Sequence, residues 1–348
     1  MAGSSTKAVY AAIAANSILT VTKFAGFVIS GSASMLSEAI HSASDASNQC
    51  LLALGIHRSK KAPSEEHPYG HGRERYVWAL ISAVGIFFLG CGLSLYHGVQ
   101  GILHPHEPSH LGMAFGILVF AAILEGLTLW VAVREIKKMA DAEGMTFKEY
   151  IKSGSDPIAV AVLLEDGAAE LGVILAACCL GMAYTTGDAR WDALGSIIVG
   201  LILGAVAIFL ILRSSEMLIG KSVSPQVRER MERVLRESPI VDATADARGT
   251  VQGADDIRFK VEVDFNGKGL AERYLANLKI SEPERVQGWV ELLGSEETLK
   301  QFLGEYTEEL MSHLGAEVDE LERKIRLAVP KAVHIDIEAD AGENSGSS

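Results

Sequence analysis

Six apolar runs, each long enough to cross a bilayer, lie within the first 215 of the 348 residues. A transmembrane helix needs about 20 mostly apolar residues to span roughly 30 Å of hydrocarbon. The windows cover about 8–30, 34–56, 77–103, 111–133, 157–184 and 193–212. The pattern predicts a polytopic α-helical membrane domain of six transmembrane helices over residues 1–215. The first run reads as a span rather than a leader, because only Lys7 precedes it, no clear small-residue cleavage site follows, and a second run comes close behind.

Loop charge predicts the orientation. The 57–76 loop carries Arg58, Lys60, Lys61, Arg73 and Arg75, and the 134–156 loop carries Arg134, Lys137, Lys138, Lys148 and Lys152. The 31–33 and 104–110 loops carry no Lys or Arg, and the 185–192 loop has only Arg190. The two basic loops and both termini are therefore expected on the cytoplasmic side, with a bacterial inner membrane as the expected location.

The chain is 49% hydrophobic yet has a net charge of -13. The two properties are segregated: residues 221–348 hold 26 Asp/Glu against 17 Lys/Arg. So high an apolar fraction excludes disorder for the bulk of the chain. So acidic a chain offers no basic face to phosphate, which argues against nucleic acid as a partner. Cys50, Cys91, Cys178 and Cys179 lie inside apolar runs without CxxC spacing, and they read as buried thiols.

Beyond Arg213 the periodicity changes. Residues 225–237 read as a helix started by Pro225. Residues 257–265 alternate strictly as a half-buried strand, and a weaker strand is expected over 240–248. Leu303, Tyr306, Leu310, Leu314, Val318, Leu321 and Ile325 recur at helical spacing, predicting an amphipathic helix over 303–325. A last strand is expected over 332–338, with Val333, Ile335 and Ile337 on one face. This order predicts a small α+β domain over 216–341, with a sheet backed by helices. Residues 267–302 read as a partly helical insertion, and 342–348 as a disordered tail.

Charged side chains within the spans are the chemical signal, because an isolated carboxylate there costs several kcal/mol. In the second span His41 and Asp45 stand at i and i+4, about 40° apart on one helix face. Imidazole and carboxylate at that spacing suit a divalent transition metal. The fifth span holds Glu165, Asp166 and Glu170, with Asp166 and Glu170 on one face and Glu165 rotated by about 100°. Two helices, each with a one-turn pair of N/O ligands, could clamp one cation between them. A single such residue in a span is often a structural hydrogen-bonding group. Five in two spans, among small residues that permit close helix approach, favour the metal reading. Lys23 in the first span and Glu125 in the fourth fit either a proton path or a structural pairing. His67 and His71 in the second loop could bind a second metal ion or lie in a solvated polar loop. His104, His106 and His110 read as solvated loop histidines. Gly200 and Gly204 form a GxxxG in the sixth span, a weak signal for a helix contact.

These motifs together resemble the cation diffusion facilitator family of zinc transporters: His41-Ser-Ala-Ser-Asp45, His67-Pro-Tyr-Gly-His71-Gly, and the acidic fifth span followed by Ala-Ala-Glu-Leu-Gly172. Leu-Leu-Glu165-Asp166, Phe259-Lys-Val-Glu-Val-Asp-Phe265 and Leu314-Gly-Ala-Glu-Val-Asp319 are similar to the branch that contains the mitochondrial zinc transporter nine. The resemblance covers essentially the whole chain. It implies a ferredoxin-like fold for the cytoplasmic domain, a homodimer, and a transport site in which His41, Asp45 and Asp166 are ligands. The family's other fifth-span ligand would stand at residue 162, which is Val162 here, so Glu165, Glu170 or water would have to complete the site. His67 and His71 match two ligands of the family's loop site, and Ser64 stands where an acidic partner is usual. The tail has only His313 and His334, so the His-rich binuclear site of some relatives is expected to be missing, although His334 and Asp336 keep part of it.

The expected function is export of a divalent transition metal, Zn²⁺ first and Mn²⁺, Co²⁺ or Fe²⁺ as alternatives, in exchange for protons. Metal and proton would compete for the same side chains, and helix groups would rock to alternate access. The metal is substrate, no resident cofactor is expected, and the chain is not read as an enzyme. The rival readings are a passive metal channel, a metal-sensing membrane scaffold, and an intramembrane hydrolase. Against the last, the sequence has neither HExxH nor GxSxG.

Overall fold

The computed structural model describes residues 4–30, 33–104, 111–154, 156–188, 190–292 and 296–340. The chain divides into two compact units, one of residues 1–221 with 252–255, and one of 222–251 with 256–348.

The first unit is helical. Its long elements are α1 (Ser4–Ser30), α2 (Ala33–Arg58), α3 (Glu74–Gly85) continuing through a π-helical segment (Ile86–Gly92) into α4 (Leu93–Leu103), α5 (Leu111–Glu143), α7 (Pro157–Thr186) and α8 (Arg190–Ile219). Among the described residues four stretches are long and apolar enough to cross a membrane: Thr6–Ala25, Glu74–Leu103, Gly116–Glu143 and Ala193–Ile219. The long helices outside that set, α2 and α7, carry the candidate site. The core is built from residues such as Val9, Leu52, Ala83, Ile136, Ile158 and Leu210, all nearly inaccessible.

Small residues set how closely these helices approach. A Cβ at Gly98 would stand 2.5 Å from Ile197 Cγ1 and 2.9 Å from the Ala193 carbonyl oxygen, so α4 and α8 touch backbone to backbone there. Gly200 is as tightly placed against Ser94 and Leu95, and Gly204 against the Cys91 side chain. The GxxxG is thus a helix contact within the chain.

Short α6 (Phe147–Ser153), which periodicity did not reveal, opens on a capping box between Thr146 and Glu149. Gly154 and Asp156 lead from it into α7. The Asp156 carboxylate accepts from the Ile158 and Ala159 amides and takes a 2.9 Å ion pair from Arg75. Arg213 of α8 donates to the carbonyls of Tyr150 and Gly154. Two buried cations therefore fix the entrance to the helix that carries the acidic cluster.

Cys91 and Cys179 are buried thiols as expected, but Cys50 and Cys178 are exposed on the unit's surface. An apolar run in a helical bundle has an outward face as well as a core face, and spacing alone does not divide them.

The second unit is α+β. Its elements are α9 (Pro225–Arg236), β1 (Val241–Gly253), β2 (Asp256–Phe265), α10 (Gly267–Ser281), α11 (Pro283–Leu292), α12 (Glu296–Ala328) and β3 (Ala332–Ala339). The sheet order is β1-β2-β3, with β2 and β3 parallel. The two-residue connection between β1 and β2 suits an antiparallel pair. Strict alternation along β2 puts Ile257, Phe259, Val261 and Val263 into the core with Met231, Leu235, Leu321 and Ile325.

Three details correct the periodicity. Val333 is exposed although Ile335 is buried, because the β2–β3 register shifts between Ile257 and Arg258 and leaves Val333 unopposed. The amphipathic helix begins at Glu296, well before 303, and runs 33 residues. Its first half covers an aromatic cluster of Tyr274, Trp289, Phe302 and Tyr306, formed with α10 and α11. Leu303 is left exposed, and Phe302 takes the contact expected of it. The expected insertion is thus α10, α11 and the start of α12, packed on the rest of that helix. The expected tail at 342–348 lies outside the described residues.

Candidate functional site

The site is assembled from polar side chains on helices that are otherwise apolar. On α2, Asp45 is half-buried, while Asn48 and Gln49 are buried. His41 lies on the same helix one turn before Asp45, but its side chain is outside the described residues. On α7, Glu165 and Asp166 are 6% and 5% exposed, so both carboxylates have left water. α2 and α7 meet through these groups: Gln49 Nε2 donates to Glu165 Oε2 at 2.7 Å. Asp45 and Glu165 line one small cavity with Ser44, Asn48, Ile86, Leu89, Gly90 and Leu203. Its volume is about 10 Å³, room for a single water-sized occupant. Ile86, Leu89 and Gly90 of the cavity wall belong to the π-helical segment, a local irregularity of the kind that recurs at functional sites.

Asp166 turns toward Thr128 of α5, and Asp45 is near enough for their charges to interact. Glu170 sits one turn further along α7, with Oε2 3.8 Å from where a Cβ on Gly126 of α5 would stand. Buried oxygens of Glu165 (Oε1), Asp166 (Oδ2) and Glu170 (Oε2) have no hydrogen-bond partner among the described residues. An ionised carboxylate stripped of water and partners is costly, so this cluster calls for a cation, a proton or water. Among the described residues no three His, Cys, Asp or Glu side chains are grouped to hold a metal ion.

The structure thus brings Asp45 and Glu165 to one cavity, turns Asp166 toward Thr128 and turns Glu170 toward α5. Val162, where the family resemblance looks for a ligand, is a fully buried core residue. Lys23 of α1 is buried and donates to Ser42 Oγ at 2.9 Å, within a turn of Asp45. His67 and His71 stand apart on the loop between α2 and α3, their rings stacked 4.4 Å apart. His71 Nδ1 is 2.8 Å from Glu74 Oε1, and Ser64 and His67 exchange backbone hydrogen bonds. His104 is exposed, and His106 and His110 lie outside the described residues. In the second unit Asp336 is engaged by Arg258 at 2.9 Å, while His334 lies 3.8 Å from Asp256. Sequence reasoning missed Asn48, Gln49 and Thr128. The stripe His41, Asp45, Gln49 at i, i+4, i+8 was the available signal for Gln49.

Residues 9–219 match the family described as the cation efflux transmembrane domain. The chain belongs to the cation efflux family. It is 42% identical over 332 residues to the proton-coupled zinc antiporter SLC30A9, mitochondrial, of Mus musculus, covering 95% of this chain and 58% of that protein. It is 40% identical over 335 residues to metal tolerance protein C4 of Arabidopsis thaliana, covering 96% of this chain and 73% of the relative. A shorter likeness, 33% identity over 114 residues, links it to the magnetosome protein MamM of Paramagnetospirillum magneticum, covering 32% of this chain and 35% of that protein. The chain thus spans little more than half the length of the mammalian relative. Family and apolar helices together make this cation efflux protein an integral membrane protein and not an enzyme. The mammalian relative carries "mitochondrial" in its name, which gives no support to the bacterial inner membrane expected from the sequence.

Proposed function

We propose that this protein is a secondary transporter that exports a divalent transition metal, Zn²⁺ first, in exchange for protons. One observation carries the reading: a carboxylate of α2 and a carboxylate of α7 line the same ion-sized cavity among apolar helices. The names of the mouse and Arabidopsis relatives support zinc, proton coupling and metal tolerance. All six long helices span the membrane in this reading, with residues 1–215 as the transmembrane domain. The basic loops and both termini face the compartment that the metal leaves. The α+β unit is a ferredoxin-like cytoplasmic domain that joins two copies into a homodimer.

In the site, His41, Asp45, Glu165 and Asp166 hold the ion. Glu170 lies one turn beyond, toward α5, as a reserve oxygen. Two or more carboxylates offset the ion's double charge and the cost of desolvation. Protons arriving from the far side neutralise the same oxygens, so metal leaves as protons bind, and one set of groups couples both fluxes. Mn²⁺, Co²⁺ or Fe²⁺ is the second reading, favoured by the oxygen-rich α7 half. His67 and His71 form at most a loop metal site completed by Glu74. The test is metal flux into proteoliposomes with and without an imposed proton gradient. The transporter reading expects gradient-responsive Zn²⁺ movement that Asp45→Ala abolishes. Flux indifferent to the gradient would indicate a channel, metal binding without flux would indicate a sensor, and normal transport by Asp45→Ala would mean the site is misplaced.

A further inference from the structure

Glu165 is the α7 residue that shares Asp45's cavity, yet it stands three positions after Val162, where the family pattern looks for a ligand. Something must turn it toward α2. Gln49 has no accessible surface, and its amide nitrogen donates to Glu165 Oε2 at 2.7 Å. It does not line the cavity and so grips the carboxylate from behind. Glu165 Oε1 is buried and has no hydrogen-bond partner among the described residues. Asn48, the preceding residue of α2, also faces Glu165 and lines the cavity. Gly85 leaves room for it, since a Cβ there would stand 2.9 Å from Asn48 Oδ1. Successive amides of one helix thus meet one carboxylate of another. Burying a donor without a partner is costly; the Gln49 nitrogen meets that cost on Glu165, while Gln49 Oε1 is buried with no hydrogen-bond partner among the described residues.

We propose that Gln49 is a positioning residue of the transport site: by holding one oxygen of Glu165 it presents the other to the metal beside Asp45. This rests on the transport reading above, and the geometry points to a reason that Val162 can be apolar. Partners that orient a metal ligand typically change metal affinity by about 10–100-fold when removed.

The test uses full-length protein in proteoliposomes with ZnCl₂ as the probe, comparing wild type, Asp45→Ala, Gln49→Met and Gln49→Asn. Met keeps the length without a donor, and Asn keeps a donor one methylene short. The expected result is a KM for Zn²⁺ raised about 10–100-fold in Gln49→Met, raised less in Gln49→Asn, with Vmax within about twofold of wild type. A merely structural role would lower Vmax through lost folded protein and leave KM alone. Wild-type KM in both variants, or the same rise in both, overturns the proposal. If Gln49→Met does not fold, the KM of Gln49→Asn decides. Failure of the transport reading looks different, because Asp45→Ala would then move zinc normally or the wild type would move none.

Discussion

Arg75 and Asp156 form an ion pair at 2.9 Å with side chains only 8% and 2% exposed. Removing one member of such a pair strands a buried charge, at about 3–5 kcal/mol. Asp156 also caps α7 through the Ile158 and Ala159 amides, worth about 1 kcal/mol. Asp156→Ala is therefore expected to lose about 4–6 kcal/mol, the sum of both effects. Arg75→Met loses the pair but keeps the cap, about 3–5 kcal/mol. The double variant Arg75→Met/Asp156→Asn removes both charges and retains a capping side chain, so it is expected within about 1–2 kcal/mol of wild type. Unfolding free energies in one mixed-detergent system would measure the cycle, with zinc flux recorded alongside. If the losses of Arg75→Met and Asp156→Asn simply add in the double variant, the pair is not coupled and the reasoning fails.

Other consequences are as direct. Gly98→Ala drives a Cβ to 2.5 Å from Ile197 Cγ1 and 2.9 Å from a backbone oxygen, so it should destabilise by about 1–3 kcal/mol. Gly116→Ala meets nothing within 4 Å and should be neutral or stabilising, and folded yield by size-exclusion chromatography compares the two. Glu165→Gln should abolish zinc flux while Glu170→Gln reduces it by less than about tenfold; the reverse order would move the site toward α5. In the second unit, burial and then the Glu309 carboxylate push the Tyr274 phenol up to about 12. Because the unfolded value is about 10, this stabilisation is fully present below about pH 10 and lost as pH rises toward 12. The ultraviolet titration difference between wild type and Tyr274→Phe should place the Tyr274 midpoint near 12, with Glu309→Gln lowering it. A midpoint near 10 would show that the buried network has no hold on it.

Periodicity located the long helices because an apolar run of that length has few other uses, and it located β2 because a half-buried strand must alternate. It erred where contacts are not periodic. Val333 is turned out by a register shift, Leu303 loses its expected place to Phe302, and Cys50 and Cys178 fall on outward faces. Charge in an apolar context was the strongest site signal, since its cost demands an explanation, and it named Asp45, Glu165 and Asp166. Gln49 and Asn48 escaped because an amide in a helix carries no such cost on paper. Only their depth and the partner they meet give them a role.

The amino-acid order by itself determined that this chain enters a membrane and carries acid and imidazole groups there, because hydrophobicity and charge are properties of residues. Only the tertiary structure decided which carboxylates share a cavity. Adjacent residues of α7 diverge by about 100° around the helix, so Glu165 faces Asp45's cavity while Asp166 turns toward Thr128, and no spacing rule could choose between them without knowing where α2 and α5 stand.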